Sequence, residues 1–381
     1  MTIRRVTIFA ATGWHNLGDE AILYAEVSYL RTRYPGARIS FATSDSNSSI
    51  LPLEWGTRWY WYFPCEIRSR PLANVGFFFR TVWEIFRSDL VVIGGGGIFY
   101  DNEAGQSFRR QVFGWSLRSR LARFFRKKTL FFGVGVDVRP DNLPVLRRIF
   151  DFPSAIVTVR DAKSAESLSA IGIPATVLPD PAFLFPPVKR NPIFVESRRS
   201  VGLSIRKGYL PDGLESVRQI VLAVRDSGFE PVFLNQSFHP RSPETNDHVF
   251  LEPLARELSI RSSASLSETL SWYSGLSAVV AMRLHAGVLS FVNGIPFYLL
   301  SYSKKTDEFA KRVRTKWVAP ASEFDPDAFR GHFREFVDHF FPKEGPPFEG
   351  YAEYSKIRQE TFDAYDCSLD SFDPRADNAR R

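Results

Sequence analysis

Short apolar runs of strand length alternate with helix-length segments along this 381-residue chain. The predicted strands are residues 6–10, 38–42, 90–93, 130–134, 155–159, 175–178, 201–205, 231–234, 278–281 and 297–300. The predicted helices include residues 20–33, 162–171, 213–226, 265–274, 284–293 and 307–313. This alternation is typical of parallel sheets covered by helices. It predicts an α/β fold with two doubly wound, Rossmann-like domains facing across a cleft, whose ligands bind beyond the carboxyl ends of the strands.

The restart of the alternation after a proline-rich stretch at 181–199 predicts the domain boundaries. We expect an N-terminal domain at 1–190, a second domain at 198–320, and a C-terminal helix and polar tail at 321–381. A linker is predicted at the proline-rich stretch itself. The sequence does not indicate an oligomeric state.

Composition excludes several protein classes. Hydrophobic residues make up 44% and charged residues 24% of the chain, as in ordinary globular proteins. Cys65 and Cys367 are the only cysteines, so thiols build neither a disulfide framework nor a four-ligand zinc site. No His, Asp or Glu set has metal-ligand spacing, and we expect no metal and no resident cofactor.

Two features bear on localisation. The N-terminus lacks the pattern of a signal peptide. Residues 284–303 are uncharged for a length that could cross a bilayer, but Asn293, Gly294 and Pro296 interrupt them. A buried helix followed by a buried strand is predicted there instead. We therefore expect a cytoplasmic protein, with a peripheral position on the inner face of the membrane as an open alternative.

Two glycine-containing loops follow predicted strands of the first half. Residues 13–20 read GWHNLGDE and open a helix, where Asn16 and Asp19 suit sugar hydroxyls better than phosphate. Gly94–Gly97 follow the strand at 90–93, so a ligand or a neighbouring element approaches the backbone at Gly95 and Gly96. Because the dinucleotide fingerprint is absent, a nicotinamide enzyme is disfavoured.

The net charge of +7 comes mainly from one segment, since residues 104–136 contain eight Arg and Lys and no acid. At helical period, residues 108–128 form a predicted basic, amphipathic helix with interleaved aromatics. Two interpretations stay open: contact with an anionic membrane surface, at about 1 kcal/mol per basic residue, or a solvated helix packing its aromatics on the sheet. Nucleic-acid binding is not expected, because no recognised module accompanies the segment.

Cations and one histidine follow the strands of the second half. Arg283 and His285 come just after the strand at 278–281, Arg206 after the strand at 201–205, and Lys304 and Lys305 after the strand at 297–300. Arg160 ends a strand of the first half, and Asp161 behind it reads as a helix cap. These positions predict an anion-binding site with a titratable group.

Taken together, these motifs resemble the polysaccharide pyruvyl transferase family over about residues 5–310. The resemblance rests on the following residues: Asn16–Leu23, Gly94–Asp101, Gly133–Gly135, Val159–Asp161 with Ser164, Asp180–Ala182, Ser204–Arg206, Arg283–Ala286 and Ser301–Lys305. It implies a GT-B-like fold whose tail crosses back to the first domain. The lysine motif departs from the family pattern, because Ser303 and Lys304 replace its usual Asp-Pro.

The resemblance implies transfer of a pyruvyl group from phosphoenolpyruvate to two hydroxyls of a sugar, forming a cyclic ketal and releasing phosphate. His285 and Arg283 would be catalytic, and Arg160, Arg206, Lys304 and Lys305 would bind the donor. The acceptor, a sugar of a polysaccharide or of its lipid-linked precursor, would contact these residues: Asn16, Asp19, Gly95, Gly96 and Asp101.

Two rival functions remain. A GT-B sugar-nucleotide glycosyltransferase would share the fold, since a fold alone does not determine function. It predicts a second-domain acid for a ribose, and the Arg283–His285 stretch supplies none. A membrane-docked, non-catalytic binding protein would not depend on His285.

Overall fold

The computed structural model describes residues 3–45, 50–51, 58–61, 71–101, 107–188, 199–240, 242–342, 350–370 and 372. Contacts divide the chain into two compact units. The first comprises residues 1–14, 19–185 and 358–381, and the second comprises 15–18 and 186–357. Cys65 and the predicted linker residues 189–198 lie outside the described residues.

The first unit is built on a parallel sheet with helices between its strands. Its strands are β1 (Arg5–Phe9), β2 (Arg38–Thr43), β3 (Arg58–Trp61), β4 (Leu90–Ile93), β5 (Gly96–Tyr100), β6 (Lys128–Asp137), β7 (Ala155–Val159) and β8 (Thr176–Val177). Its helices are α1 (Leu17–Arg33), α2 (Pro71–Arg87), α3 (Phe108–Gln111), α4 (Phe113–Phe124), α5 (Leu143–Phe150) and α6 (Ala162–Ser169).

The strand order of the first sheet is β3-β2-β1-β4-β6-β7-β8, with β5 paired to β6. The chain runs outward from β1 through β2 to β3 and then returns to the other side of β1 with β4. The order therefore reverses between β1 and β4, and the loops after these two strands meet at the switch point where such sheets bind ligands.

The second unit repeats this plan on a smaller scale. Its strands are β9 (Ser200–Ser204), β10 (Glu230–Phe233), β11 (Ala278–Ala281), β12 (Phe297–Ser301) and β13 (Val318–Pro320). Its helices are α7 (Leu214–Asp226), α8 (Asp247–Glu257), α9 (Leu266–Trp272), α10 (Leu284–Val292), α11 (Lys304–Arg312) and α12 (Pro326–Phe340). The parallel order β10-β9-β11-β12-β13 reverses between β9 and β11.

The structure confirms the predicted fold class of two doubly wound α/β units. It also confirms that residues 284–303 hold a buried helix, α10, and a buried strand, β12. Among the described residues, no helix is long and apolar enough to cross a membrane.

The last helix, α13 (Ala352–Asp370), carries the chain from the second unit's residues into the first. Within the first unit, Tyr29 Oη donates to Asp366 Oδ1 at 2.8 Å, and Arg33 forms ion pairs with Asp366 and Asp370. Tyr365 Oη donates to the carbonyl of Pro179 at 2.9 Å. Buried polar contacts thus join residues 358–370 to the first unit.

Two local predictions were wrong. The proline-rich stretch does not begin as a linker, because Pro181–Leu184 forms a buried 3-10 helix of the first unit. The basic segment 108–128 is not one helix, because it divides at Val112 into α3 and α4 and Lys128 begins β6. Arg118 is buried, and its guanidinium lies over the rings of Phe9 and Trp115.

Candidate functional site

The switch point of the first unit is organised by buried acids that bind backbone amides. Glu20 is buried in the first turn of α1, and its Oε1 accepts from Gly13 N–H at 2.9 Å. A Cβ on Gly13 would lie 2.3 Å from Asp45 N, and its φ is +85°. Glu20 therefore holds the loop after β1 in a conformation that requires glycine.

Glu26 plays the matching role for the loop after β4. Its Oε1 accepts from Gly95 N–H at 2.6 Å, and its Oε2 is buried with no hydrogen-bond partner among the described residues. Burial raises the pKa of Glu26 to about 8. The hydrogen bond from Gly95 lowers this pKa, and the charge of Asp180 raises it further. Glu26 is therefore mostly a neutral acid near pH 7.

The consecutive glycines have separate roles. A Cβ on Gly94 would lie 2.6 Å from Glu26 Oε2, and one on Gly95 would lie 2.8 Å from the carbonyl of Phe132. These two glycines make room for neighbouring elements. Gly96 has a φ of +91°, and a Cβ there would lie 3.5 Å from Asp19 Oδ1. The structure thus brings Asp19 and Gly96 together, and an acceptor-binding role for Gly95 stays a prediction.

Asp101 follows β5 and ties down the loop after β6. Its Oδ2 accepts from Arg139 N at 2.9 Å and from Asn142 Nδ2 at 2.9 Å. Burial opposes its ionisation, but these hydrogen bonds hold the pKa of Asp101 below its usual value. The carboxylate is engaged within its own unit, and its contact with an acceptor stays a prediction.

Arg160, after β7, is paired with an acid of its own unit. Its Nη1 donates to Asp180 Oδ2 at 2.9 Å, and both side chains are nearly buried. Its Nε lies 3.3 Å from where a Cβ on Gly135 would stand. As predicted, Asp161 caps α6 by accepting from Ser164 N at 2.8 Å.

Residues 15–18 precede most of α1 but cluster with the second unit. Asn16 pairs with Ser237 in an antiparallel bridge, and Leu17 N donates to the carbonyl of Gln236 at 2.8 Å. Gly18 N donates to Asn16 Oδ1 at 3.0 Å. A Cβ on Gly18 would stand 2.3 Å from Nδ1 of His285. The glycine of this motif therefore leaves the space that the imidazole occupies.

His285 lies at the switch point of the second unit, in the first turn of α10. Its neighbour Arg283 is the N-cap residue of that helix and makes no side-chain cap hydrogen bond there. Instead Arg283 Nη2 donates to Asp247 Oδ1 at 2.6 Å. Asp247 is itself almost fully buried, and its Oδ2 accepts from Gln236 N at 3.1 Å. Burial raises the pKa of Asp247, against the charge and hydrogen bond of Arg283.

Arg206 follows β9, the strand next to β11, and is held by two tyrosines. Its Nη1 donates to Tyr302 Oη at 2.9 Å, and its guanidinium lies 5.1 Å from the ring centre of Tyr209 and 5.2 Å from that of Tyr302. Arg206 and Arg283 both line an open cavity of about 310 Å³. The other lining residues are Lys207, Gly208, Tyr209, Glu244, Thr245 and Asp247.

Lys304 and Lys305 occupy the first turn of α11, directly after β12. Both residues are exposed, and neither is among the described residues that line the cavity of Arg206 and Arg283. Their donor-binding role stays a prediction. Across the described part of the chain, no group of three or more His, Cys, Asp or Glu could hold a metal ion.

Sequence reasoning missed Glu26 and Asp247. Glu26 had a signal, because at helical period it shares the apolar face of α1 with Ile22 and Tyr29. Asp247 had none, because an acid in the first turn of a helix reads as a favourable end group. Its pairing with Arg283 depends on two loops that are far apart in the sequence.

Solved structures show what fold the chain has. It is similar to a UDP-GlcNAc 2-epimerase from Neisseria meningitidis, with 11% identity, a TM-score of 0.55, and coverage of 95% of this chain and 100% of that one. It is also similar to a UGT transferase from Siraitia grosvenorii, with 11% identity, a TM-score of 0.52, and coverage of 98% and 99%. At such identities the likeness shows a GT-B-like fold alone.

A search of curated proteins finds no significant match. The model of one protein family, described as polysaccharide pyruvyl transferase, matches residues 16–304. The matched range contains the loop at 15–18 from Asn16 onward, β4 and its following loop in the first unit, the whole switch point of the second unit, and the cavity with Arg206 and Arg283. The chain therefore belongs to the polysaccharide pyruvyl transferase family and is a transferase.

Proposed function

We propose that the protein transfers the pyruvyl group of phosphoenolpyruvate to two hydroxyls of a sugar, forming a cyclic ketal and releasing phosphate. The acceptor is a sugar of a cell-surface polysaccharide or of its lipid-linked precursor. The observation that carries the proposal is the pair of guanidinium groups of Arg206 and Arg283 lining one cavity at the switch point of the second unit.

That cavity suits a small anion with two charged groups. Its volume is at the lower end of the range for small-molecule sites. Guanidinium groups bind carboxylates and phosphates through paired N–H donors. Arg283 is the N-cap residue of α10 and its side chain does not cap the helix, so the helix dipole favours an anion near this end. Asp247 and the two tyrosines fix the two guanidinium groups before the donor arrives.

His285 follows the cavity-lining Arg283 by two residues, is not itself a lining residue, and would supply the proton chemistry. Imidazole both gives and takes a proton near neutral pH. The imidazolium gives its proton to the methylene carbon of the donor, which makes the neighbouring carbon electrophilic. A sugar hydroxyl attacks that carbon and its proton passes back to the imidazole. Phosphate then leaves, and attack by a second hydroxyl, whose proton goes to phosphate, closes the ketal.

In the proposed function, uncharged polar side chains and carboxylates bind the acceptor. Asn16 precedes Gly18 and lies on the loop that contacts His285. Its side-chain amide would bind a sugar hydroxyl, and a contact of the acceptor with Asp19 stays a prediction. Such groups bind neutral hydroxyls without attracting a second phosphate.

The test is incubation of the full chain with phosphoenolpyruvate and a panel of glycosides. We expect phosphate release together with a mass gain of one ketal-linked pyruvate on one glycoside. In His285→Gln, phosphate release should fall by about 10²- to 10⁴-fold, the usual contribution of acid–base catalysis. His339→Gln, at an exposed position of α12, is the matched control and should leave it unchanged.

Two results would overturn the proposal. Wild-type turnover that persists in His285→Gln would remove the proton donor from the mechanism. Turnover of a sugar nucleotide, with none of phosphoenolpyruvate, would favour the glycosyltransferase alternative.

A further inference from the structure

Helix α2 exposes an apolar face. The residues of α2 that the structure leaves exposed are all apolar or glycine: Leu72, Val75, Gly76, Phe79, Trp83 and Phe86. Its buried positions include the polar residues Asn74, Thr81 and Glu84. A surface helix of a water-soluble domain ordinarily shows the opposite arrangement.

The exposed residues form one continuous stripe. They recur at intervals of three and four positions from Leu72 to Phe86, which is the spacing of one helix face. Their exposed fractions are large, at 86% for Leu72, 65% for Phe79 and 50% for Trp83. We call this set of Leu72, Val75, Phe79, Trp83 and Phe86 the α2 stripe. An apolar face of this size marks an interaction site.

The α2 stripe continues into the end of α4. The rings of Phe86 and Phe125 are 5.4 Å apart, and Phe124, which is 77% exposed, lies 5.0 Å from Phe125. Cations border these rings: Arg87 lies 5.1 Å from the Trp83 ring centre, and Lys127 lies 5.7 Å from that of Phe86.

Basic residues outnumber acids around this surface, where Asp89 interacts with Lys127. Exposed basic residues of α4 and the turn after it are Arg120, Arg123 and Arg126. The acid of α2, Glu84, is buried and paired with Arg80. The sequence from 104 to 127 contains no acid at all. A second copy of this chain would therefore bring like charges together, whereas an anionic lipid surface would neutralise them.

We propose that the α2 stripe inserts into the interface of an anionic lipid bilayer, while the basic residues of α4 and its following turn pair with lipid phosphates. An amphipathic helix with aromatic residues on its apolar face and basic residues around it binds such surfaces in this way. The proposal assigns the insertion to α2 and the adjoining rings of Phe124 and Phe125, whereas the arginines of the segment at 108–128 supply charge. It does not depend on pyruvyl transfer and stands or fails separately from the proposed function.

The experiment is co-sedimentation of the full chain with vesicles. We expect binding to vesicles of phosphatidylglycerol mixed with phosphatidylcholine and much weaker binding to phosphatidylcholine alone. Phe79→Ser combined with Trp83→Ser should weaken binding by more than about 100-fold, since burying each aromatic side chain contributes about a factor of ten or more. Arg120→Gln combined with Arg123→Gln should weaken it by about 20-fold, at roughly fivefold per charge.

Matched variants separate insertion from unfolding. Val249→Ser removes an apolar residue that is 49% exposed in the second unit and should leave binding unchanged. Each variant should keep the wild-type circular dichroism spectrum and melting temperature. Trp83→Phe keeps the apolar face and removes one indole. The difference between its fluorescence and that of wild type therefore comes from Trp83. Brominated lipid should quench this part of the fluorescence.

Three outcomes would overturn the proposal. One is equal binding of wild type and the Phe79/Trp83 variant to anionic vesicles. Another is vesicle binding without quenching of Trp83. The third is a wild-type dimer in sedimentation velocity that becomes a monomer in the Phe79/Trp83 variant and binds no vesicles, which would make the α2 stripe a contact between copies.

Discussion

The two switch points share a topology but differ in chemistry. In the first unit, the acids Glu20 and Glu26 bind the backbone amides of Gly13 and Gly95. In the second unit, the side chains that follow the corresponding strands are Arg206 and Arg283, together with His285. The same reversal of strand order therefore supports buried acids that order loops in one unit and a cavity lined by two arginines in the other.

The difference shows that two units with the same strand topology can carry different side chains at their switch points. Acids that bind backbone amides within their own unit add little net attraction for a phosphate. Guanidinium groups held by Asp247, Tyr209 and Tyr302 are fixed in place while still lining open space. Under the proposed function, the arginines of the second unit bind the anionic donor, and the loop of Asn16, which clusters with the same unit, binds the acceptor.

Among the substitutions that test this comparison, Gly18→Ala has the largest expected effect on phosphate release. The absence of a side chain at Gly18 leaves room for the imidazole of His285. In Gly18→Ala, the added Cβ would start 2.3 Å from Nδ1 of His285, so the imidazole must move. A displacement of about 1 Å at a catalytic group costs about 100-fold in rate. We expect that loss of phosphate release from phosphoenolpyruvate with a nearly unchanged melting temperature.

Gly331→Ala is the control for that substitution. Gly331 lies in α12, and a Cβ there meets no atom within 4 Å. This variant should keep full activity. If Gly18→Ala also turned over at the wild-type rate, the contact between the loop and the imidazole would have no catalytic meaning.

A smaller effect is expected from Asp247, which positions Arg283 in the second unit. Asp247→Asn removes the charge from a nearly buried ion pair of 2.6 Å. We expect KM for phosphoenolpyruvate to rise by about tenfold, with a smaller change in kcat. The reason is that the substitution weakens the ionic hydrogen bond that holds Arg283, which binds the donor in the proposed function. Steady-state kinetics against Asp226→Asn, a partly exposed acid near Arg330 at 3.5 Å, measure it. Equal KM values in both variants would separate Asp247 from donor binding.

A separate prediction concerns the pH dependence of stability in the first unit. The pKa of Glu26 is raised to about 8 in the folded protein, above its unfolded value of 4.5. Its stabilising contribution is therefore fully present below about pH 4.5 and is lost as the pH rises through 8.

Glu26→Gln tests that dependence, because glutamine cannot ionise. Between pH 5 and pH 8, the free energy of unfolding of wild type should fall relative to that of Glu26→Gln by up to about 1.4 kcal/mol per pH unit. Urea unfolding at several pH values measures the difference. Glu166→Gln, at an exposed position of α6, should run parallel to wild type. A parallel curve for Glu26→Gln as well would mean that Glu26 is ionised in the fold.

Much of the fold could be predicted because buried strands of parallel sheets are short, apolar runs with sharp ends. The bounds of β4, β7 and β11 agree with prediction residue for residue. Strand β5 was missed, because a run of glycines reads as a turn and its pairing with β6 depends on distant residues. Helix α2 was missed, because its apolar residues face away from the core.

The site was predictable to the extent that topology alone places residues. Arg206, Arg283 and His285 follow adjacent strands of one sheet, so their gathering at one edge follows from strand order. The position of residues 15–18 in the second unit was not predictable, because a backbone bridge between Asn16 and Ser237 leaves no mark in side-chain patterns. The burial of Arg118 was also missed, because at helical period it reads as part of a cationic face.

The central claim is that the cationic cavity of the second unit binds the anionic donor. Calorimetric titration of phosphoenolpyruvate into the full chain, Arg206→Gln and Arg218→Gln tests it most directly. Arg218 forms surface ion pairs with Glu215 and Glu257 on the same unit, so it controls for the loss of one charge. We predict that Arg206→Gln weakens binding by at least about tenfold, while Arg218→Gln binds as wild type does. Equal affinity in all three proteins would contradict the account.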